Sequence, residues 1–427
     1  MATRWSPLNV SLWYVTVCGC VIAIYQRSGG NTTTLIRSAS ALFAIAAVMY
    51  AAYAVTTWQR RATLERWLVG TGLTYFAVQV IGYLSNDLDE VHLYNTQVMF
   101  LVAIPTMLIV IAKDRRPRDE LLALAHNVAA AVVYASVFLA FALPSLAYGH
   151  RVGDERRWEV LGLNWRLSGV TPHQNLLAVT AIIAILLALH RRGPFWILTV
   201  VVSVLAIGLA EARNAAITAI AVLVVYWLMS GRFSPIRLAL SALALALLYV
   251  FGAPLLDGQG VSDLSAGADN LNNRSEIWDA VLNAWVGTPT DPSTWNHFWL
   301  GYGPTSFVVG SLSPFSTLGY YNAHNQFMEA IAEGGVAGLL LIVAFLGVTA
   351  AIALHNRAEP LYVCLFLTML SGALTEVFFT VHQYGVSFAA VPAYLALIVF
   401  AAGTRPRFAV EPTDDAASPT VAEIVRR

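Results

Sequence analysis

A succession of apolar stretches, each about as long as a bilayer core is thick, restricts what this chain can become more than any other feature. A core of ~30 Å takes about 20 residues of helix. Stretches meeting that ruler fall near 8–25, 35–56, 67–84, 96–112, 121–143, 174–189, 194–210, 213–229, 236–252, 333–354, 361–378 and 384–402. The run from 194 to 229 is 36 residues long, and as one helix it would measure ~54 Å. It must therefore fold into two spans, and its only charged residues, Glu211 and Arg213, mark the turn between them. With 58% of its residues hydrophobic and 12% charged, the chain is unlike a soluble globule. The expected fold class is an all-α integral membrane protein of roughly twelve transmembrane helices. The membrane domain would occupy 1–402, with one large outer-face loop at 253–325 and a disordered cytoplasmic tail at 403–427.

Charge sets orientation and excludes a class of partner. The net charge is zero and no basic block is present, so nothing recruits nucleic acid. With the N-terminus inside, 17 of the 25 Lys+Arg fall on inner segments, which by the positive-inside rule makes both termini cytoplasmic. The same assignment puts the 144–172 loop, the Glu211/Arg213 turn and the 253–325 loop on the outer face of the membrane, where they can line one cavity. Cys18, Cys20 and Cys364 all sit in apolar stretches, implying neither a disulfide nor zinc. The N-terminus has no small-residue cleavage pattern near its first apolar run, which is expected to remain a helix. There is no internal repeat and almost no mid-span charge, which weighs against a transporter.

The large loop gathers the residues suited to chemistry. Arg274 is its one fixed cation among Asp257, Asp263, Asp269, Glu276, Asp279 and Asp291. Apolar residues at Ile277, Trp278, Val281, Leu282 and Trp285 recur at helical spacing, suggesting a helix lying in the membrane interface. Asn273 and Glu276 are spaced as a capping pair, placing Arg274 in the first turn, where a cation is disfavoured unless an anion is also present. His324 is expected in the first turn of a helix opening near Asn322, above Phe327, Met328 and Ile331. A helix N-terminus disfavours the charged imidazole. Glu329 and Glu333 would be neighbours that orient the ring or are solvated. Arg213 sits at a span end, where arginines are usually paired or functional; a salt bridge with Glu211 is the alternative. From Arg166 to Asn175 the chain passes from outer loop into a span through Gly169, Pro172 and His173, with Pro172 read as part of a turn and cap. Gly301-Tyr302-Gly303-Pro304 lacks the lysine and further glycines of a phosphate loop and would let backbone pass close to a ligand or a helix. Carboxylates at acid/base spacing are absent and His297 has no metal partner at ligand spacing, so neither metal nor cofactor is expected.

These pieces resemble the O-antigen ligase and O-antigen polymerase superfamily. The resemblance is carried by Gly169-Val170-Thr171-Pro172-His173-Gln174-Asn175, Glu211-Ala212-Arg213-Asn214-Ala215, Asn273-Arg274-Ser275-Glu276-Ile277-Trp278 and Leu300-Gly301-Tyr302-Gly303-Pro304-Thr305-Ser306-Phe307. Ala323-His324-Asn325-Gln326-Phe327-Met328-Glu329 and Glu333-Gly334-Gly335-Val336-Ala337-Gly338 complete it. It covers roughly 160–400 and implies a bilayer-embedded C-type glycosyltransferase using a polyprenyl (undecaprenyl) diphosphate-linked glycan as donor at the outer face of the cytoplasmic membrane. The acceptor would be a hydroxyl of a glycan, glycolipid or other molecule, with no metal. The family's two arginines and histidine fall on Arg213, Arg274 and His324. Arg166, His173, Asn175, Gly301, Gly303, Asn325 and Glu329 are the expected substrate-binding positions. Arginines can stabilise a departing diphosphate and a neutral histidine can take the acceptor's proton, with inversion at the sugar. A repeat-unit polymerase and a lipid-linked glycan transporter remain the alternatives.

Overall fold

The computed structural model describes residues 6–28, 63–85, 103–149, 166–231, 274–287, 295–303, 306–307, 313–315, 323–377 and 391–405. Most of these residues are helical. The first half contains α1 (Pro7–Arg27), α2 (Thr63–Ser85), α3 (Ala103–Lys113), α4 (Arg118–Ala142), α5 (Pro144–Ala147), α6 (Gln174–Arg191), α7 (Trp196–Ala210) and α8 (Arg213–Met229). The second contains α9 (Arg274–Gly287), α10 (Trp295–Leu300), α11 (Gln326–His355), α12 (Pro360–Thr375) and α13 (Val391–Gly403). Two short antiparallel strands, β1 (Tyr148–Gly149) and β2 (Arg166–Leu167), pair between α5 and α6.

Among the described residues, four helical stretches are long and apolar enough to cross a membrane: Pro7–Tyr25, Arg118–Ala142, Gln174–Arg191 and Gln326–His355. Shorter apolar helices are α7, Asn214–Met229 of α8, α12 and α13. The spans expected at 35–56 and 236–252, most of the large loop and the tail beyond 405 lie outside the described residues, so twelve spans are not reached among the described ones. The 194–229 run does divide at its charges. α7 closes on Glu211 in the left-handed region (φ 46) and α8 opens at Arg213.

α6 is the hub of the bundle. Leu177 to Ala188 are buried without interruption, as a helix that is apolar all round requires, and the helix packs against α4, α7, α8, α12 and α13. Apolar side chains also face outward, with Phe138 70% and Phe141 72% exposed, the surface of a helix that meets lipid rather than water.

α11 starts at Gln326, earlier than the span expected from 333, and breaks at Gly335 (φ 57, ψ −149). A Cβ there would stand 2.4 Å from the Phe298 carbonyl oxygen, and one on Gly301 (φ 67) would stand 2.4 Å from the Glu333 carbonyl carbon. Only glycine tolerates both the dihedral and the approach. The break strips carbonyls of their intrahelical donors, and the 301–303 loop replaces them: Tyr302 N–H donates to the Ala332 carbonyl at 2.8 Å and Gly303 N–H to that of Glu333 at 3.0 Å.

Polar side chains collect at two ends. At one, Arg405 donates to Glu65 at 2.8 Å, Arg116 pairs with Asp114 at 2.9 Å, and Glu359 pairs with Arg118 and faces His190. At the other lie Arg166, His173, Asn175, Arg274, His324 and Glu376. α6 and α12 each run from one group to the other, in opposite directions. Their 18 and 16 residues extend about 27 and 24 Å at 1.5 Å per residue, close to the ~30 Å hydrocarbon core.

Candidate active site

The second polar group is built where four chain segments end together. His173 caps α6, its ring Nδ1 accepting from the Asn175 N–H at 3.3 Å. Arg274 is the first residue of α9, as its capping-pair spacing implied. Glu376 terminates α12 in extended conformation (φ −149, ψ 173). His324 precedes the N-cap of α11.

Glu376 joins them. Its Oε1 accepts from Asn175 Nδ2 and from Arg274 Nη2 at 3.3 Å, while its Oε2 lies 3.6 Å from His324 Nδ1. Arg274 Nη1 also donates to the Thr375 carbonyl at 2.8 Å. The anion expected beside this first-turn cation is thus present, supplied by α12 rather than by the acids of its own loop. Sequence reasoning missed Glu376 because it fell inside the span expected at 361–378, whereas α12 stops at Thr375. A carboxylate within an apolar stretch is itself a functional signal, and that signal could have found it.

His324 is held differently from the expectation. The helix does not open near Asn322: Asn325 is the N-cap, its side chain accepting from Phe327 and Met328 N–H, and His324 stands outside the helix with φ 48. A left-handed β-carbon-bearing residue persists only where its surroundings over-determine it. Here Ala323 N–H donates to Glu329 Oε2 at 2.7 Å, and the Ala323 carbonyl accepts from Trp278 Nε1 at 2.8 Å. On the other side Asn325 Nδ2 donates to the Leu374 carbonyl at 3.0 Å. Glu329 and Glu333 are fully buried rather than solvated; Glu333 accepts from Gln79 Nε2 at 2.8 Å.

The remaining expected positions divide. Arg166 donates to the Glu211 carbonyl oxygen, tying β2 to the α7–α8 turn, and Asn175 and His173 enter the cluster directly. Asn325 and Glu329 support the turn that carries His324, and Gly301 and Gly303 meet the α11 break, so of the two uses foreseen for that loop the approach to a helix is the one observed. Arg213 begins α8, and its side chain lies outside what the structure describes. The apolar face of α9 does not lie against lipid: Ile277 and Val281 are buried with Phe307, Phe315 and Ile331. Of the loop tryptophans, Trp278 and Trp285 are hydrogen-bonded inward, while Trp295 and Trp299 are exposed.

The electrostatics follow from this crowding. Burial disfavours ionisation of Glu376, but His324 first and the Arg274 guanidinium with it outweigh that cost and hold its pKa below the usual carboxylate value. For His173 burial is the largest influence and lowers its pKa; His324, Arg166 and Arg274 act in the same direction against Glu376. A neutral His173 fits its ring nitrogen acting as an acceptor. Beside the cluster a narrow cleft opens between α6, α8 and α12, lined by Asn175, Val179, Ile182, Asn214, Thr218 and Glu376 among others. Asn214 follows Arg213 directly, so the start of α8 borders the same cleft.

Long apolar helices with outward apolar faces, and buried charges gathered toward their ends, are those of an integral membrane protein. Residues 176–343 match the family model described as O-antigen ligase. This stretch, which contains Arg213, Arg274 and His324, is similar to that family. His173, Asn175 and Glu376 fall outside it. No curated protein matches the chain.

Proposed function

We propose that the chain is an inverting, metal-independent membrane glycosyltransferase that moves a glycan from a polyprenyl diphosphate to an acceptor hydroxyl. The observation that carries this reading is the meeting of Arg274 and His324, from separate elements of the matched stretch, at one carboxylate. The guanidinium keeps N–H donors beyond those given to Thr375 and Glu376, and these can bind diphosphate oxygens. Arg213, at the start of α8, would supply the second cation. Nδ1 of His324 faces Glu376 at 3.6 Å, and in this reading the acceptor hydroxyl approaches Nε2. The acceptor oxygen attacks the anomeric carbon and its proton passes to Nε2. The bond from that carbon to the diphosphate oxygen breaks, and its electron pair leaves with the polyprenyl diphosphate. Charge growing on the leaving group is met by the arginines, and charge growing on the ring by Glu376.

Arg166, His173 and Asn175 would shape the donor side of the cleft, and the exposed Trp295 and Trp299 offer faces for sugars. The full chain in lipid nanodiscs, given an undecaprenyl-diphosphate-linked glycan and candidate acceptors, should release undecaprenyl diphosphate and form one new glycosidic product. Release without transfer, or no consumption of donor with any hydroxyl acceptor, would overturn the reading. Product length separates the two members of this class: one transfer per acceptor marks a ligase and a ladder marks a repeat-unit polymerase.

A further inference from the structure

We infer that Glu376 is the positioning residue of the site, one carboxylate that orients His324 through Oε2 and restrains Arg274 through Oε1. This deepens the proposed transferase reading and rests on it. Three observations converge. Both oxygens of Glu376 are engaged, by Asn175 and Arg274 on one side and by His324 on the other. Glu376 also follows the last turn of α12, whose Leu374 and Thr375 carbonyls hold Asn325 and Arg274, so the backbone and side chain of one segment fix both partners. Finally, its side chain is 12% exposed and borders the cleft, within reach of anything bound there.

The two roles have opposite consequences when the charge is removed. An anion 3.3 Å from Arg274 competes with a diphosphate for that cation and repels it. The same anion holds the His324 ring in one orientation, with Nδ1 as the donor, and balances the imidazolium formed as the acceptor's proton arrives. Neutralising Glu376 should therefore tighten diphosphate binding while slowing transfer. A residue that merely braced the fold would weaken both.

The test uses the full chain in nanodiscs, with undecaprenyl diphosphate as the binding probe and an undecaprenyl-diphosphate-linked glycan for turnover. Glu376→Gln keeps size and hydrogen-bonding atoms; it should lower kcat by ~10²-fold and bind undecaprenyl diphosphate several-fold more tightly. Glu376→Asp restores the charge and should recover part of the kcat. In an Arg274→Ala background, Glu376→Gln should no longer change probe affinity, because the restrained cation is gone. Unchanged kcat in Glu376→Gln, or weaker probe binding with slower turnover, would overturn the positioning role. If His324→Ala and Arg274→Ala abolish transfer in the same assay, the transferase reading stands despite that failure. Full activity in both would remove His324 and Arg274 from the chemistry and overturn the inference with them, whereas a wild-type chain that performs no transfer in this assay would overturn the transferase reading itself.

Discussion

His324 and His173 lie beside the same carboxylate but are held for different work. His324 is exposed enough to meet an acceptor, with a side chain 33% accessible, so His324→Ala should cost ~10²–10⁴-fold in transfer while sparing donor binding. His324→Gln keeps hydrogen bonding but cannot accept the proton and should be equally impaired. A glutamine variant of near wild-type rate and unchanged pH profile would reduce His324 to positioning alone. His173 instead uses its ring as a helix cap. Its pKa is lowered from the ordinary 6.5 by burial first, so between that value and the folded one the unfolded chain binds more protons. The stability contribution therefore falls as pH drops below about 6.5. Asparagine caps helices well and does not titrate. His173→Asn should keep the melting temperature near neutral pH and flatten its decline toward acid; an unaltered slope would show that the ring does not drive it.

The elements matter through the joints between them. α11 is bent at Gly335 because the 301–303 loop needs the room, and that loop supplies the donors the bend leaves wanting. Gly335→Ala adds a Cβ into the Phe298 carbonyl as well as a strained φ, and strain of that kind alone costs about 1–3 kcal/mol. A clear fall in thermal stability is expected, and an unchanged melting curve would mean that the bend can relax into straight helix. α9 reaches α11 through Trp278, whose N–H holds the Ala323 carbonyl. Trp278→Phe keeps most of the packing and removes one hydrogen bond, worth about 1 kcal/mol. Its effect should appear more in turnover than in folding, because Ala323 adjoins His324. Equal loss in both measurements would assign Trp278 to packing only.

For the whole molecule the expectation is sidedness: the Arg274, His324 and Glu376 end outward, the Arg405 and Glu65 end toward the cytoplasm. In a background lacking Cys18, Cys20 and Cys364, an impermeant thiol reagent on intact spheroplasts should label Ser265→Cys and spare Ser418→Cys, and the reverse pattern would invert the topology. The sequence alone determined that this is a helical membrane protein, that 194–229 breaks at Glu211, and that Arg274 opens a helix. Those features follow from apolar run length, from the cost of charge in hydrocarbon and from capping chemistry, all of which act over a few turns of chain. It did not disclose that Glu376 ends α12, that His324 stands before its helix rather than in it, or that the apolar face of α9 turns to protein instead of lipid. Each of these depends on a partner distant in sequence: Arg274 and Asn175 for the carboxylate, Trp278 for the turn before His324, Phe307 and Ile331 for α9. A local pattern specifies that a buried charge needs a counter-charge, but which one it meets is decided only when the helices pack.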